Sequence, residues 1–274
     1  VQIRNPGDES DRYVHGQSIR ILARMATLVA MWQQMRLGND PVRARTDLSY
    51  AENFLYMFFN GAEPDPLVAR IMDTSFVLHA EHTINASTFS AMVTGSTLAT
   101  PSYVIAAAIG TLAGPLHGGA NERVIQMLEE IGRSERARDW LDSKLAAKEV
   151  IWGMGHREYK VKDPRAILLQ KMMYELAESR GSLSPMFETA LALEEACEER
   201  LAPKGVYPNI DYYSGILYRE IGIPTDQFTP IFAIARTAGW LAHWREQVSE
   251  NRIFRPTQVY SGAEPRDYKQ INDR

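Results

Sequence analysis

Apolar residues recur at three- and four-residue steps along almost the whole chain, and this spacing constrains the fold more than any other feature. In the first long segment the pattern includes Ile19, Ile21, Leu22, Met25, Leu28, Val29 and Trp32. Such spacing places apolar side chains on one face of an α-helix. No segment shows the alternation of apolar and polar residues that is typical of a half-buried strand. The sequence therefore predicts an all-α fold.

Capping residues predict where the helices begin and end. Asp65 and Asp163 each precede a proline, a combination that favours a helix start, and we expect Asp47 to open another helix. Gly38, Gly61, Gly132 and Gly181 are the expected ends. The predicted helices span residues 16–37, 48–60, 66–82, 86–98, 102–113, 119–131, 134–148, 164–179, 184–201, 211–221 and 229–249. Residues 255–274, which are rich in polar groups, are predicted to form an extended tail.

Composition excludes several classes of protein. The chain has 274 residues, of which 45% are hydrophobic and 23% charged, as in an ordinary soluble globular protein. A net charge of −4 without a basic run argues against a nucleic-acid partner. No apolar run approaches the roughly 20 residues that span a bilayer, so we expect no membrane partner. Cys197 is the only cysteine, which excludes an intrachain disulfide and predicts a reducing, cytoplasmic location.

Three short segments rich in Gly, Pro or Asn lie between predicted helices, and each holds one titratable side chain, His117, His156 or Asp211. Loops held by a rigid scaffold often contain catalytic groups. Two imidazoles and one carboxylate are sufficient for acid/base chemistry. Taken singly, each has a structural interpretation, either as a turn histidine or as a helix-capping aspartate. The three together, with arginines nearby, favour a catalytic site.

The neighbours of these residues indicate their chemistry. His117 directly precedes a predicted helix, whose N-terminal dipole disfavours a positive charge, so a neutral imidazole could donate to a developing oxyanion. Asp211 would act as a base only if burial raised its pKa. His156 lies before a helix start that could hold a carboxylate or phosphate, although a solvated basic loop is an alternative. The cations near it are Arg157, Lys160, Lys162 and Arg165.

Other polar residues are ambiguous from sequence alone. His79 and His82 lie three residues apart, as metal ligands can, but no third ligand follows in a recognised order, so we expect no metal. We expect His82 to face a substrate and His79 to be a packing or orienting partner of His82. Arg236 lies in an apolar helix and requires a counter-charge if buried, which a carboxylate substrate would supply. Arg255, before a proline, is equally consistent with a surface charge.

Five motifs in the chain resemble, in order and spacing, those of the citrate synthase family. They are His-Ala-Glu-His-x-x-Asn-Ala-Ser-Thr, Gly-Pro-Leu-His-Gly-Gly-Ala-Asn, Gly-Met-Gly-His-Arg-Glu-Tyr-Lys-x-x-Asp-Pro-Arg, Tyr-Pro-Asn-x-Asp and Ala-Arg-Thr-x-Gly-Trp, beginning at residues 79, 114, 153, 207 and 235. Together they extend over essentially the whole chain. Five ordered motifs are far more specific than any single glycine pattern.

The resemblance implies a helical fold with two domains in a homodimer. Residues 1–117 and 217–274 would form the large domain, and residues 118–216 a small domain that closes over the active site and excludes water. By the same comparison, the chain is expected to lack the N-terminal part of the family's large domain.

The resemblance also implies a reaction, the condensation of acetyl-CoA with oxaloacetate followed by hydrolysis of citryl-CoA to citrate and CoA, a step of the tricarboxylic acid cycle. Asp211 would take a proton from the acetyl methyl group and His117 would donate a hydrogen bond to the enolate. His156 would polarise the ketone of oxaloacetate. No tightly bound cofactor is expected, because CoA enters as part of the co-substrate.

The same resemblance assigns the binding residues. His82, Arg165 and Arg236 would hold oxaloacetate, whose carboxylates suit the planar guanidinium group. Arg255 would reach the active site of the other subunit of the homodimer. Lys160 lies where the family places a cation for the phosphates of CoA.

Alternatives remain open at this point. A 2-methylcitrate synthase would use propionyl-CoA with the same catalytic groups, since one methyl group is worth only about 1–3 kcal/mol of discrimination. Gly215, after Tyr-Ser, slightly favours citrate synthase. A citryl-CoA lyase and a non-catalytic helical module for oligomerisation or regulation are the remaining hypotheses.

Overall fold

The computed structural model describes residues 9–273, and within this range the chain consists of helices and connecting loops without a β-strand. The predicted all-α fold is therefore confirmed for the described residues; the first eight residues of the predicted large domain lie outside them. The α-helices are α1 (Glu9–Arg36), α2 (Tyr50–Phe58), α3 (Pro66–His79), α4 (Ala86–Ser96), α5 (Pro101–Leu112), α6 (Ala120–Ile131), α7 (Ala137–Ala146), α8 (Pro164–Arg180), α9 (Pro185–Leu201), α10 (Ile210–Ile221) and α11 (Phe228–Ser249).

Most predicted helix ends lie within two residues of those observed, and the larger differences have local causes. Helix α1 begins seven residues before the predicted start at 16, and Val14 in this added segment is fully buried in the core. The segment predicted as one helix over 134–148 divides into a short 3₁₀ turn, Ser134–Arg136, followed by α7. Of the tail predicted at 255–274, residues 255–270 form no helix and are exposed, whereas Ile271–Asp273 form a short 3₁₀ helix that was not predicted and Arg274 lies outside the described residues.

Helix α3 ends at His79 and not at the predicted residue 82, because helix α11 binds its last carbonyl groups. Arg236 Nε donates to the His79 carbonyl oxygen at 2.8 Å, and the Gly239 N–H donates to that of Ala80 at 3.0 Å. A Cβ atom at position 239 would lie 2.5 Å from the Ala80 oxygen, so only glycine permits this contact. The early end leaves His82 in a loop.

The prediction that Asp47 caps helix α2 is wrong. The N-cap is Ser49, whose hydroxyl accepts the Glu52 backbone N–H, while the Glu52 carboxylate accepts the Ser49 N–H at 2.8 Å. This reciprocal capping box satisfies two N–H groups that a helix start leaves free. Asp47 lies two residues earlier and forms an exposed ion pair with Arg45 instead.

The helices pack in two groups. Helix α11 packs against α1, α3, α4 and α5, with α2 between α1 and α3, whereas α10 packs against α6 and α8, and α9 against α6 and α7. Contacts of α3 with α8 and of α11 with α6 join the groups. The predicted boundary between residues 216 and 217 falls inside the continuous helix α10. The division into a large and a small domain stays a prediction.

Within residues 9–273, no helix is both long and apolar enough to cross a membrane.

Replacing Ser49 by Ala tests the capping box. We expect the free energy of unfolding to fall by about 1 kcal/mol, which thermal melting would detect as a lower Tm, because the Glu52 N–H loses its side-chain acceptor. Asp47→Ala is the matched control and should change stability little, since its ion pair is exposed. A larger effect at position 47 than at 49 would contradict this account.

Candidate active site

Hydrogen bonds join the loop that contains His156, before helix α8, to the segment that precedes Asp211 and helix α10. The Asn209 N–H donates to the Gly153 carbonyl oxygen at 2.9 Å, and the Gly155 N–H to that of Tyr207 at 2.7 Å. The Asn209 side chain also donates to the Gly155 carbonyl oxygen at 2.8 Å. Two segments that are distant in sequence are thus held side by side.

Gly153 is required at this junction for two independent reasons. Its φ of +76° lies in the left-handed region, which L side chains rarely adopt. A Cβ atom there would also lie 2.8 Å from Val124 Cγ2 and 3.0 Å from Tyr212 Cα. Because Tyr212 follows Asp211, this close packing fixes the distance between the loop of His156 and the start of helix α10.

Asp211 lies in the first turn of α10. The helix cap is its neighbour Asn209, whose side-chain oxygen accepts the Asp211 N–H at 2.9 Å, so the interpretation of Asp211 as the capping residue is wrong. Burial raises the pKa of Asp211 to about 6, while the charges of Arg165 and Arg236 act in the opposite direction. A carboxylate with this pKa can accept a proton near neutral pH.

Ser87 fixes the orientation and tautomer of His117. The Ser87 backbone N–H donates to His117 Nε2 at 3.3 Å, and the Ser87 hydroxyl lies 2.8 Å from the same nitrogen. A neutral ring that accepts at Nε2 has its proton on Nδ1, where it can be donated to a ligand. Burial and the charge of Arg236 lower the pKa of His117, which favours this neutral form.

His156 has the opposite tautomer. Its Nδ1 accepts the Glu158 backbone N–H at 3.0 Å, so the proton of the neutral ring is on Nε2. Burial and the charge of Arg165 lower its pKa. The ring of His82 packs edge-on against it with a centroid distance of 4.9 Å, and His82 Nε2 lies 3.2 Å from the Tyr159 hydroxyl.

Arg165 is held by Asp163, which caps helix α8. Arg165 Nε lies 3.0 Å from one carboxylate oxygen of Asp163 and Nη2 lies 2.7 Å from the other. Burial of Asp163 opposes ionisation, but the hydrogen bonds and charge of Arg165 lower the pKa of this carboxyl below its ordinary value. The pair presents a fixed guanidinium near His156 and His82.

Arg236 is only 3% exposed. Its Nε donates to the His79 carbonyl oxygen and its guanidinium packs on the Phe232 ring, but no carboxylate of residues 9–273 forms an ion pair with it. Burial and the charge of Arg165 lower its pKa to about 10, so it remains a cation at neutral pH. A buried cation without an ion-pair partner is a strong candidate for binding an anionic ligand.

Electrostatic coupling relates the predicted residues to two arginines. The charge of Arg236 acts on the pKa of His82, His117 and Asp211, and the charge of Arg165 acts on those of His82, His156 and Asp211. The three predicted catalytic side chains and His82 therefore each lie within electrostatic range of at least one of these two cations.

Two predicted binding residues lie outside this group. Lys160 is exposed at the edge of the site, packed by its stem against Gly205, and its charge acts on His156. Arg255 lies in the exposed tail, where its own chain does not bring it to the site. The start of the tail is anchored to the end of helix α4, since the Asn251 side chain donates to the Ser96 carbonyl oxygen at 2.9 Å.

Several polar groups of the site were not singled out from the sequence. Trp240 Nε1 donates to the Ser87 hydroxyl at 3.1 Å, which supports the contact with His117. The Tyr159 ring packs against both His82 and His156, with centroid distances of 5.6 and 4.8 Å. Ser87 and Tyr159 lie within the quoted motifs, but nothing in the spacing indicates which ring they contact.

Among the described residues, no group of three or more His, Cys, Asp or Glu side chains could hold a metal ion. His79 is 1% exposed and its Nδ1 lies 2.8 Å from the Ser75 carbonyl oxygen. Burial lowers its pKa to about 3, so the ring is neutral. Its Nε2 has no hydrogen-bond partner in the described chain.

Comparison with known proteins identifies the family. The family model described as citrate synthase, C-terminal domain, matches residues 3–257. The chain is 58% identical over 264 residues to the citrate synthase of Acidithiobacillus ferridurans, covering 96% of this chain and 68% of the relative. It is 52% identical to that of Synechocystis sp., covering 97% and 66%. The chain belongs to the citrate synthase family and spans about two thirds of the length of these relatives.

Solved structures agree with the sequence comparisons. The citrate synthase of Pyrobaculum aerophilum superimposes with a TM-score of 0.91 at 38% identity, covering 99% of this chain and 67% of that one. That of Thermoplasma acidophilum, solved as a ternary complex with carboxymethyl coenzyme A and oxaloacetate, gives a TM-score of 0.88 at 33% identity, covering 99% and 71%. The predicted family and its all-α fold are confirmed.

The matches support an enzyme of the citrate synthase class, an acyltransferase, and do not favour the 2-methylcitrate synthase alternative. The structure gives Gly215, which had slightly favoured citrate synthase, a packing role. A Cβ atom there would lie 2.6 Å from the Asn121 carbonyl oxygen, so glycine is needed where α10 crosses the start of α6.

The tautomer of His117 is directly measurable. At pH 7 we expect ¹⁵N spectra of the imidazoles to show His117 as a neutral ring protonated on Nδ1, because burial lowers its pKa and the Ser87 N–H binds Nε2. The signal is assigned by its loss in His117→Gln. An imidazolium, or a neutral ring protonated on Nε2, would contradict the hydrogen bonding described here.

Proposed function

We propose that this chain condenses acetyl-CoA with oxaloacetate and hydrolyses the resulting citryl-CoA to citrate and CoA. The observation that best supports this proposal is Arg236, a buried guanidinium without an ion-pair partner in the described chain, next to Asp211 and His117. A small dicarboxylate supplies the missing negative charge. The Thermoplasma acidophilum relative was solved with oxaloacetate and a CoA analogue, which supports the same substrate class.

In this proposal Asp211 removes a proton from the methyl group of acetyl-CoA. Its raised pKa, about 6, makes it a stronger base than an ordinary aspartate and still leaves it ionised at neutral pH. The negative charge moves to the thioester oxygen, where the Nδ1–H of His117 donates a hydrogen bond. A neutral donor held by backbone groups stabilises the enolate without requiring an imidazolium.

The second substrate is held and polarised by the other residues. His156 donates its Nε2–H to the ketone oxygen of oxaloacetate, which makes the carbonyl carbon more electrophilic. Arg165, Arg236 and His82 bind the carboxylates, with the guanidinium groups providing charge-assisted hydrogen bonds. The enolate carbon then attacks the ketone carbon, and the resulting alkoxide takes up a proton from water to become the hydroxyl of citryl-CoA. Water then hydrolyses the citryl thioester to release CoA.

CoA takes part as a co-substrate, and no tightly bound cofactor is proposed. Lys160 is an exposed cation at the edge of the site, beside His156, where it could contact a phosphate of CoA while the acetyl group enters. The reaction is that of the first step of the tricarboxylic acid cycle. The cytoplasmic location stays a prediction from the sequence.

We also propose a homodimer in which Arg255 completes the site of the partner subunit. Residues 82–121 contain no Asp, Glu, Lys or Arg, and the outer face of α5 exposes Tyr103, Ala106, Ile109, Gly110 and Ala113. An uncharged face with small residues suits close packing against a second copy. The tail that bears Arg255 is exposed from residue 252 to residue 273, and Val259 in it is 93% exposed.

Asp211→Asn tests the proposed reaction. We expect kcat for CoA release from acetyl-CoA and oxaloacetate to fall about 10²- to 10⁴-fold, because the amide cannot accept the proton. In the unchanged chain kcat/KM should rise with pH through about 6, as Asp211 loses its proton. A stopped assay of free CoA thiol measures both.

Folding and binding serve as controls for this variant. The pKa of Asp211 in the folded chain, about 6, exceeds its ordinary value of 3.8, so the ionised side chain destabilises the fold above pH 6. The Asn variant, which has no charge at this position, should therefore have a Tm no lower than that of the unchanged chain at about pH 7.5. Oxaloacetate should still raise its Tm. An Asn variant that keeps full activity would refute the role of Asp211, and an unchanged chain that releases no CoA would refute the reaction.

Mixing two inactive variants tests the shared site. Arg255→Ala and Asp211→Asn are each expected to be nearly inactive, but a heterodimer contains one site with both residues intact. If equal amounts of the two variants exchange subunits at random, half of the dimers are heterodimers with one intact site each. The mixture should therefore recover about a quarter of full activity. The absence of any recovery, with exchange verified by mass spectrometry, would show that Arg255 does not act across an interface.

A further inference from the structure

Four polar side chains form a closed hydrogen-bonded cluster that the proposed mechanism does not use. Lys162 Nζ donates to Gln170 Oε1 at 2.7 Å and pairs with the Glu194 carboxylate. Gln170 Nε2 donates to Glu194 Oε2 at 3.0 Å and also to the Tyr213 hydroxyl, which itself donates to Glu194. The ammonium of Lys162 lies 5.3 Å from the centre of the Tyr213 ring. We call these residues the Lys162 cluster.

The ion pair of the Lys162 cluster is partly buried. The side chain of Glu194 is 13% exposed and that of Lys162 is 24% exposed, against 49% and 45% for Arg138 and Glu199, although the Arg165–Asp163 pair is more buried still, at 12% and 1%. Burial and the neighbouring carboxylate raise the pKa of the Tyr213 phenol, so it remains a donor. Each member contacts at least two others, which is the condition under which a partly buried polar network is stable and well ordered.

The cluster joins four elements at one point. Lys162 lies in the loop before α8, Gln170 in α8, Glu194 in α9 and Tyr213 in α10. The backbone of that loop is otherwise attached to the segment before α10 by the hydrogen bonds of Gly155 and Asp163, the latter at 3.2 Å to the Pro208 carbonyl oxygen. The cluster is therefore a second side-chain attachment of the loop, in addition to the hydrogen bond of the Asn209 amide to the Gly155 carbonyl oxygen.

The Lys162 cluster borders two segments of the candidate active site. Lys162 directly precedes Asp163, which orients Arg165, and it lies in the same loop as His156. Tyr213 lies two residues after Asp211 in the same helix. One cluster thus borders the loop that bears the proposed ketone-polarising group and the helix that bears the proposed base.

We propose that Lys162 and Glu194 are positioning residues that hold the loop of His156 and Arg165 in register with Asp211. This inference rests on the proposed function. Replacing a partly buried ion pair as a whole often changes stability little, because the cost of desolvation offsets the attraction, whereas a displacement of about 1 Å at a reacting group can cost about a hundredfold in rate. The pair therefore acts mainly on the geometry of oxaloacetate binding and much less on overall stability.

The test removes the charge pair without leaving a single charge buried. In the double variant Lys162→Met with Glu194→Gln, the methionine side chain replaces the lysine stem, and the amide oxygen of the introduced glutamine can still accept from Tyr213. The matched control is Arg138→Met with Glu199→Gln, a bidentate pair between α7 and α9 that is remote from the site residues.

We expect the Lys162/Glu194 double variant to have a KM for oxaloacetate about tenfold higher and a kcat at least severalfold lower, with a Tm within a few degrees of the control. Hydrogen exchange at the amides of Gly155 and Asp163 should be faster than in the control. Lys162→Arg, which keeps the charge, should retain a KM within about threefold of the unchanged chain. If the double variant does not fold, Tyr213→Phe removes one hydroxyl and should raise KM in the same direction.

The outcomes separate the two proposals. The positioning role alone would be overturned if the unchanged chain is active and the double variant has an unaltered KM, kcat and amide exchange. Equal losses in both double variants would do the same, because they would show a general effect of removing ion pairs. An unchanged chain that releases no CoA from acetyl-CoA and oxaloacetate would overturn the proposed function and this inference with it.

Discussion

The burial of Arg236 determines much of the chemistry around it. A guanidinium at 3% exposure loses most of its hydration, and among residues 9–273 it has only one backbone acceptor and a ring contact in return. Its pKa of about 10 keeps it charged at neutral pH. The nearby imidazoles of His82 and His117 are consequently neutral, since burial and this charge lower their pKa together. The site therefore contains fixed cations, neutral donors and one basic carboxylate.

A backbone N–H group binds one ring nitrogen of each of the two principal imidazoles and thereby favours opposite tautomers. The Ser87 N–H binds Nε2 of His117 and the Glu158 N–H binds Nδ1 of His156, so the rings present opposite nitrogens as donors. Backbone donors have little freedom to reorient, which means that both hydrogen bonds to a ligand are available before it arrives. This prearrangement is the physical basis for assigning one ring to an enolate and the other to a ketone.

The sequence predicted the helices well, because apolar spacing and capping residues are local patterns. It could not predict that the Ser87 amide meets His117, distant in sequence, or that Asn209 and not Asp211 is the helix cap. The error at Asp47 is local in origin, since Ser49 with Glu52 forms a complete capping box. Arg255 makes no contact with the site in its own chain, so its role depends on a second copy that the sequence only implies.

Two carboxylates near the same arginines differ in pKa because only one of them is bonded to a guanidinium. Asp163 receives two hydrogen bonds from the Arg165 side chain, and its pKa falls despite burial. Asp211 receives no such bond, so burial dominates and its pKa rises to about 6, although Arg165 and Arg236 still act to lower it. Carboxylates of a bound substrate would neutralise part of that cationic field. The basicity of Asp211 would then increase when the second substrate is in place, which couples proton removal to the presence of its acceptor.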